Sequence, residues 1–261
     1  MLTHITLETK WLGKELYYKE TTDSTSLDIK SLAKQGSKEG AVACADMQTQ
    51  GRGRRGRSWQ SNKGENLLFS ILLRPNIAPD KAPQITLLMA MAVTKTLREY
   101  YKFDAKIKWP NDVVIGGKKV CGILTEMYLE GSKIDFVVVG TGINVNQSVI
   151  PKDLTKSATS LLLEGTSEFS KEEILGRVLL SFEQYYEEFL QNGTLQNVLM
   201  QYNEWLVSWD KEVRVLDPKG EYIGISKGIN ENGELLVELS SGEIVEVYAG
   251  EVSVRGLYGY V

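Results

Sequence analysis

Only one histidine, His4, and two cysteines, Cys44 and Cys121, occur in the 261 residues. A Ser-His-Asp or Cys-His mechanism would have to rest on a histidine four residues from the start, where chains are usually poorly held. A zinc cage wants several Cys and His ligands, and those are missing too. Two cysteines make no disulfide framework. Each sits in an apolar run, AVACAD and KVCGIL, as a buried free thiol does, and that fits a reducing cytosol. No apolar stretch approaches the ~18–20 residues of a membrane span. The opening MLTHITLETK carries acids and no apolar block, unlike a secretory signal. Internal repeats and low-complexity tracts are also absent.

One acid-free stretch is also crowded with positive charge. Net charge is −4, so the chain as a whole offers no general nucleic-acid-binding surface. Yet no acid lies between Asp46 and Glu65, while Arg52, Arg54, Arg55, Arg57 and Lys63 crowd into that interval. Hydrophobic residues at 42% and charged residues at 25% are ordinary for a globular protein and supply a core that needs no staples. The length accommodates one large unit and a small one.

ELYYK (15–19) reads as a strand and TTDST as a turn. Apolar spacing in SLDIKSLAKQ (26–35) suits an amphipathic helix, with Ser24 or Thr25 as its N-cap. GAVACADM (40–47) reads as a buried strand, and the aperiodic GRGRRGRSWQSNKGEN after it as a loop. NLLFSILL (66–73) is a strand run. Residues 82–102 form a helix with Ile85, Leu88, Met89, Val93 and Leu97 on one face. AKIKW, DVVI, KVCGILTEMYL and IDFVVVGTGINV are strand-like, with hairpin turns at Gly116–Gly117 and Gly131–Ser132. A polar connection (146–170) leads into one long helix, 171–206, with an acidic outer face. From about residue 210, EVRVLD, EYIGISKGI, ELLVEL and EIVEVY alternate with PKG, NENG and SSG turns, the texture of a small β-barrel. The expected fold is α+β: a domain of mixed sheet and helices over residues 1–207, then a small β-barrel over 208–261.

GRGRRGRSW (51–59) contains GxGxxG at Gly51, Gly53 and Gly56. A dinucleotide fingerprint must open an apolar helix, and Ser58-Trp59-Gln60 opens none. Two readings stay open: a solvated basic loop or nucleic-acid patch, or a loop closing on an anionic ligand, with glycines freeing N–H groups and arginines neutralising charge. In KWPNDVVI (108–115), Trp-Pro imposes extended or turn geometry and sets Asn111 and Asp112 at a strand start, as an ordinary turn would also do. In GKKVCGILTE (117–126), Lys118 and Lys119 lie at a strand mouth, either as exposed edge lysines or with one turned to a ligand, and Gly122 invites close approach. In VVVGTGINVN (137–146), Gly140 and Gly142 weaken a strand unless something passes close by, and Asn144 offers an amide suited to a nucleobase edge. These features describe binding of a phosphorylated ligand without a covalent nucleophile or a metal cage. They do not name the substrate.

In their order and spacing, DST (23–25), QTQGRGRRGRSW, KWPNDV, KKVCGIL, GTGINV and the late GISKGI…VSVR resemble the biotin protein ligase family across residues 15–256. The resemblance implies a mixed sheet flanked by helices, similar to class II aminoacyl-tRNA synthetases, and a Src-homology-3-like barrel. It implies a ligase that makes biotinyl-5'-AMP from biotin and ATP with Mg2+, then transfers biotin to a lysine of a biotin carboxyl carrier protein, as in acetyl-CoA carboxylase or a related carboxylase. A lipoate or octanoate ligase or transferase of the same fold is the alternative. By the same resemblance Ser24, Thr25, Ser26 and Gln48 line the pocket for the ureido head, and Arg52 with the backbone of Gly51 and Gly53 completes it. The family often has Asn where this chain has Ser26. Arg54 and Lys119 are the catalytic cations facing the biotin carboxylate and α-phosphate. Trp59 packs beside the adenylate, with Gly122, Gly140 and Gly142 allowing close approach. Asn111 lies on the nucleotide side and Asp112 on the metal side, Asn144 reads adenine, Ala158–Leu161 fold over it, and Arg255 reaches ATP phosphates. Fewer than fifteen residues precede the first strand, so the form implied lacks the family's helix-turn-helix domain. It is cytoplasmic, binds neither DNA nor membrane, and is a possible homodimer.

Overall fold

A computed structural model describes residues 7–218, 220–250, 252–256 and 260–261. His4 lies outside the described residues. The elements in chain order are β1 (Leu16–Thr22), α1 (Thr25–Lys34), β2 (Val42–Gln48), β3 (Leu67–Leu73), α2 (Ala82–Glu99), β4 (Ala105–Lys108), β5 (Asp112–Ile115), β6 (Lys118–Glu130), β7 (Lys133–Ile143), α3 (Leu161–Glu164), α4 (Lys171–Asn192), α5 (Leu199–Trp205), β8 (Glu212–Asp217), β9 (Gly220–Ile229), β10 (Leu235–Glu238), β11 (Ile244–Val247) and β12 (Ser253–Gly256).

The first seven strands form one mixed sheet in the order β1-β2-β3-β7-β6-β5-β4. Only β1 and β2 run parallel, joined through α1, because a parallel pair needs a crossover that a tight turn cannot supply. All seven residues of β3 are buried, so LLFSILL reads as a continuous apolar run covered on both faces. Alternation along the strands assigns the faces. Val42, Cys44, Phe69, Ile71, Val137 and Val139 belong to the large core shared with α2 and α4. Ala41, Ala43, Leu72, Phe136 and Val138 pack with Ile29 and Ala33 of α1. Cys44 and Cys121 are buried free thiols, and burial pushes both thiol pKa values up.

The last five strands form an antiparallel sheet, β11-β10-β9-β8-β12. It shares the main core through Val213, Val215, Ile229 and Val237. Asn203 at the end of α5 clamps it, accepting from the Ile229 N–H at 2.7 Å and donating to the Ile229 carbonyl at 3.2 Å.

Four sequence expectations are corrected. Residues 171–206 are two helices, not one. Gly193, with φ +73°, ends α4 in the left-handed conformation, its N–H returning to the Phe189 carbonyl at 2.8 Å. The helix from residue 82 ends at Glu99, since Lys102 takes φ +62°. The first strand continues through Thr21 and Thr22, which pair with Met47 and Gln48. A fifth strand, β12, pairs with β8, and Arg255 lies inside it opposite Arg214.

Candidate active site

The site grows from the sheet face that α1 covers. Beyond the start of α1, Ser70 of β3 and Gly140 and Gly142 of β7 take over where Leu72 and Val138 packed under the helix. Ser24 occupies the N-cap position of α1 in an extended conformation, and its hydroxyl makes no capping bond. The Thr25 hydroxyl donates to Gln48 Oε1 at 3.1 Å, and the Thr25 N–H reaches the same oxygen at 2.8 Å. Ser70, fully buried, joins its hydroxyl to those of Thr25 at 2.8 Å and Ser26 at 3.1 Å. Thr25, Ser26 and Gln48, with Ser24 beside them, thus line the end of a cleft, and Ser70 holds two of them from behind.

The arginine-glycine segment folds across this cleft. The Trp59 N–H donates to the Gly51 carbonyl at 2.9 Å and the Gly53 N–H to the Arg57 carbonyl at 2.7 Å, which makes a narrow two-sided loop. Its Trp59 indole packs against the glycines of the sheet. A Cβ on Gly142 would stand 2.6 Å from that ring and one on Gly122 2.7 Å from it. A Cβ on Gly140 would stand 2.5 Å from Ser26 Oγ. The glycines expected to admit close approach therefore admit the protein's own indole and Ser26. The Trp59 indole N–H is buried without a partner. Arg52 pairs with Glu126 at 3.3 Å. Arg54 donates to Asn111 Oδ1 at 2.9 Å and to the carbonyls of Ala249 and Gly250 at 2.7 and 2.8 Å. The loop is thus held by protein oxygens, where its composition had pointed to anions alone.

A second cleft lies on the other side of Trp59. Asn144, Gln147, Ser157 and Ala158 line it. The Asn144 amide donates to the Thr159 carbonyl at 2.9 Å, which leaves Oδ1 as an acceptor. Ala158 to Leu161 run from a bridge with Lys119 into α3, which Ser160 caps by accepting from the Leu163 N–H at 3.2 Å. A third cleft is bounded by Arg54, Arg55, Arg57, Lys108, Lys119 and Arg255, with Asp112 its only carboxylate among the described residues. Lys119 lines all three clefts. Its ammonium pairs with Asp112 at 2.7 Å and stands 5.3 Å from the centre of the Trp59 ring. The Tyr260 hydroxyl donates to the other Asp112 oxygen. Burial pushes the Tyr260 phenol pKa up, and Asp112 adds to it.

Every site residue expected from the sequence lies on one of these clefts or against Trp59. Ser70, Lys108 and Tyr260 were missed. Ser70 carried a signal, a lone hydroxyl in an apolar strand. Tyr260 carried none. Among the described residues there is no cluster of three or more potential metal ligands; Asp112 Oδ2 accepts from Tyr260, and Oδ1 is ion-paired with Lys119 but accepts no hydrogen bond. A resident metal cage does not fit these residues. A hydrated ion that arrives already held by phosphate oxygens needs no more than one carboxylate.

Three clefts that meet at Lys119 and Trp59 offer hydroxyl and amide groups in one, an amide acceptor in another and a cluster of cations in the third. Residues 18–144 match the model of the biotin/lipoate A/B protein ligase family, and residues 210–255 that of the biotin protein ligase C-terminal domain. The chain is 36% identical over 248 residues to the bifunctional ligase/repressor BirA of Bacillus subtilis, covering 94% of this chain and 76% of that one. It is 32% identical to the biotin–[acetyl-CoA-carboxylase] ligase of Mycobacterium tuberculosis, covering 88% and 85%. Its structure resembles biotin protein ligase from Aquifex aeolicus in complex with biotin and ATP, with TM-score 0.81, 32% identity, and coverage of 93% and 99%. The chain belongs to the biotin protein ligase family.

Proposed function

We infer that this protein uses ATP to activate biotin and transfers it to a lysine of a carrier protein. The observation that carries the residue assignment is the position of Lys119, the one charged side chain common to the three clefts, which Trp59 also lines. Biotin occupies the first cleft, its ureido head among Ser24, Thr25, Ser26 and Gln48 and its carboxylate toward Arg52, Arg54 and Lys119. ATP occupies the second, adenine at Asn144, and sends its phosphates past Lys119 toward Arg255.

A carboxylate oxygen of biotin attacks the α-phosphorus. The new O–P bond forms as the bond to the bridging oxygen breaks, and the electron pair leaves with pyrophosphate. Anion meets anion here, so the fixed charges of Lys119 and Arg54 stabilise the transition state more than the separated reactants. Asp112 would be the protein ligand for the magnesium of MgATP, and the ion would offset phosphate charge alongside Lys119. The acid anhydride formed is prone to hydrolysis, and the Trp59 loop shields it from water. The carrier's neutral lysine amine then attacks the acyl carbon. An amide forms, the C–O bond to AMP breaks, and the amine proton goes to solvent.

The acceptor of this reaction is a biotin carboxyl carrier domain. The compartment proposed is the cytoplasm. No helix of the described residues is long and apolar enough to cross a membrane. DNA is not proposed as a partner, because the arginines of the loop face protein oxygens and the phosphate cleft. A homodimer is the assembly to test by light scattering. The units proposed are residues 1–207 and 208–261. Lipoate has no ureido group to match the hydroxyl and amide cluster. The test is ATP–pyrophosphate exchange: biotin should support it and lipoate at equal concentration should not. Exchange with lipoate alone, or with neither, overturns the assignment.

A further inference from the structure

We propose that Lys108 is a binding residue for the pyrophosphate end of ATP, an inference that rests on the adenylating function above. Lys108 closes β4 opposite Asp112 in the strand register. It is only 9% exposed. Its ammonium donates to the Val254 carbonyl of β12 at 2.7 Å and stands 4.6 Å from the centre of the Tyr260 ring. Among the described residues no carboxylate pairs with it. Asp112, the one acid among the described residues of this cleft, is already engaged by Lys119 and Tyr260.

A buried ammonium without a counter-ion is costly, and a carbonyl with a ring face offsets only part of that cost. Here the excess is collective. Arg54, Arg55, Arg57, Lys108, Lys119 and Arg255 share the third cleft with a single carboxylate among the described residues. Such a cleft is built for an anion of several charges. Pyrophosphate is the multiply charged product of the reaction. Lys108 lines neither the head-group cleft nor the adenine cleft, whereas Lys119 lines all three. The phosphate chain therefore passes Lys119 at its α end and enters the third cleft with its β and γ ends. One ammonium hydrogen of Lys108 serves Val254, and the others are available to that end.

The competing account is a strut, Lys108 merely tying β4 to β12. The two half-reactions tell them apart, because pyrophosphate takes part only in the first. The experiment uses the full chain with Lys108→Met and, as a smaller change in polarity, Lys108→Gln. In the reverse direction, ATP synthesis from biotinyl-AMP, the KM for pyrophosphate should rise at least tenfold in both variants. Biotin affinity, and transfer from supplied biotinyl-AMP to a carrier, should stay within twofold of the parent. An unchanged pyrophosphate KM overturns the inference while leaving the ligase assignment standing. A parallel loss of transfer and pyrophosphate use overturns it in favour of the strut. A parent without biotin-dependent exchange overturns the ligase assignment and the inference with it.

Discussion

Replacing Lys108 by methionine should make the protein without nucleotide more stable at neutral pH. Burial, with smaller contributions from Lys119, Arg255 and Arg54 and against the pull of Asp112, lowers the Lys108 pKa from the usual 10.5 to about 8. At about 1.4 kcal/mol per tenfold change in the proton equilibrium, the folded state loses about 3 kcal/mol by holding this ammonium charged. Methionine matches the stem and removes that cost, but leaves the Val254 carbonyl without its partner, a loss of about 1–2 kcal/mol. The net gain is about 1–2 kcal/mol, and the unfolding midpoint should rise by about 2–6 °C for a chain of this size. The direction with pH follows from proton counts. Between about pH 8 and 10.5 the unfolded lysine holds a proton that the folded one has released, so the parent gains stability as pH rises through that window. The advantage of Lys108→Met is therefore full below pH 8, gone between about pH 9 and 10, and reversed near pH 10.5, where only the loss of the Val254 bond remains. Thermal unfolding of both proteins at pH 7 and at pH 10 measures it. A variant less stable than the parent at pH 7, or a gain equal at both pH values, refutes the reasoning.

Lys119→Met should abolish adenylation with the fold intact, since one contact of this kind to developing charge contributes on the order of 3–4 kcal/mol. Biotin-dependent pyrophosphate exchange checks it, and unchanged exchange in a folded variant rejects the role. Ser70→Ala removes the hydroxyl that holds Thr25 and Ser26, and should raise the KM for biotin by roughly fivefold to tenfold, the equivalent of one hydrogen bond. The KM for ATP should not move, and a rise in both would point to a general loss of packing. Arg54→Gly unties the loop from Asn111 and from the carbonyls of Ala249 and Gly250. Partial adenylation should survive through Lys119, while biotinyl-AMP escapes and labels an unrelated protein such as albumin. A variant that keeps its intermediate as firmly as the parent shows that Arg54 is no part of the seal.

Local signals carried most of the site. Gly122 and Gly142 are legible as close approaches because a glycine inside a strand needs a reason, although the partner proved to be Trp59, far away in sequence from both. Lys119 and Asp112 are legible as residues at strand mouths. Lys108 was not, because its burial comes from β12 and Tyr260, which sit about 150 residues further along and meet it only in the fold. The same holds for the carbonyls that grip Arg54, since a backbone oxygen has no side-chain signature. The break at Gly193 was overlooked because apolar spacing resumes beyond it, in a helix whose direction periodicity cannot reveal. β12 was left out of the strand count because it is four residues long and its partner β8 is distant in sequence.

The Trp59 ring is a wall common to two rooms. In the function proposed, one room takes the acid and the other the nucleotide, and neither can be reshaped alone. Thermodynamics then imposes a symmetry on the two substrates. If biotin, by steadying the indole on Gly142, tightens ATP binding by some factor, ATP must tighten biotin by the same factor. An order of addition seen in kinetics would therefore reflect access to the rooms, while the four equilibrium constants around the square still close. The symmetry stops at equilibrium binding, because turnover rates are under no such obligation. A residue chosen for its flat shape thus makes each substrate a gauge of the other.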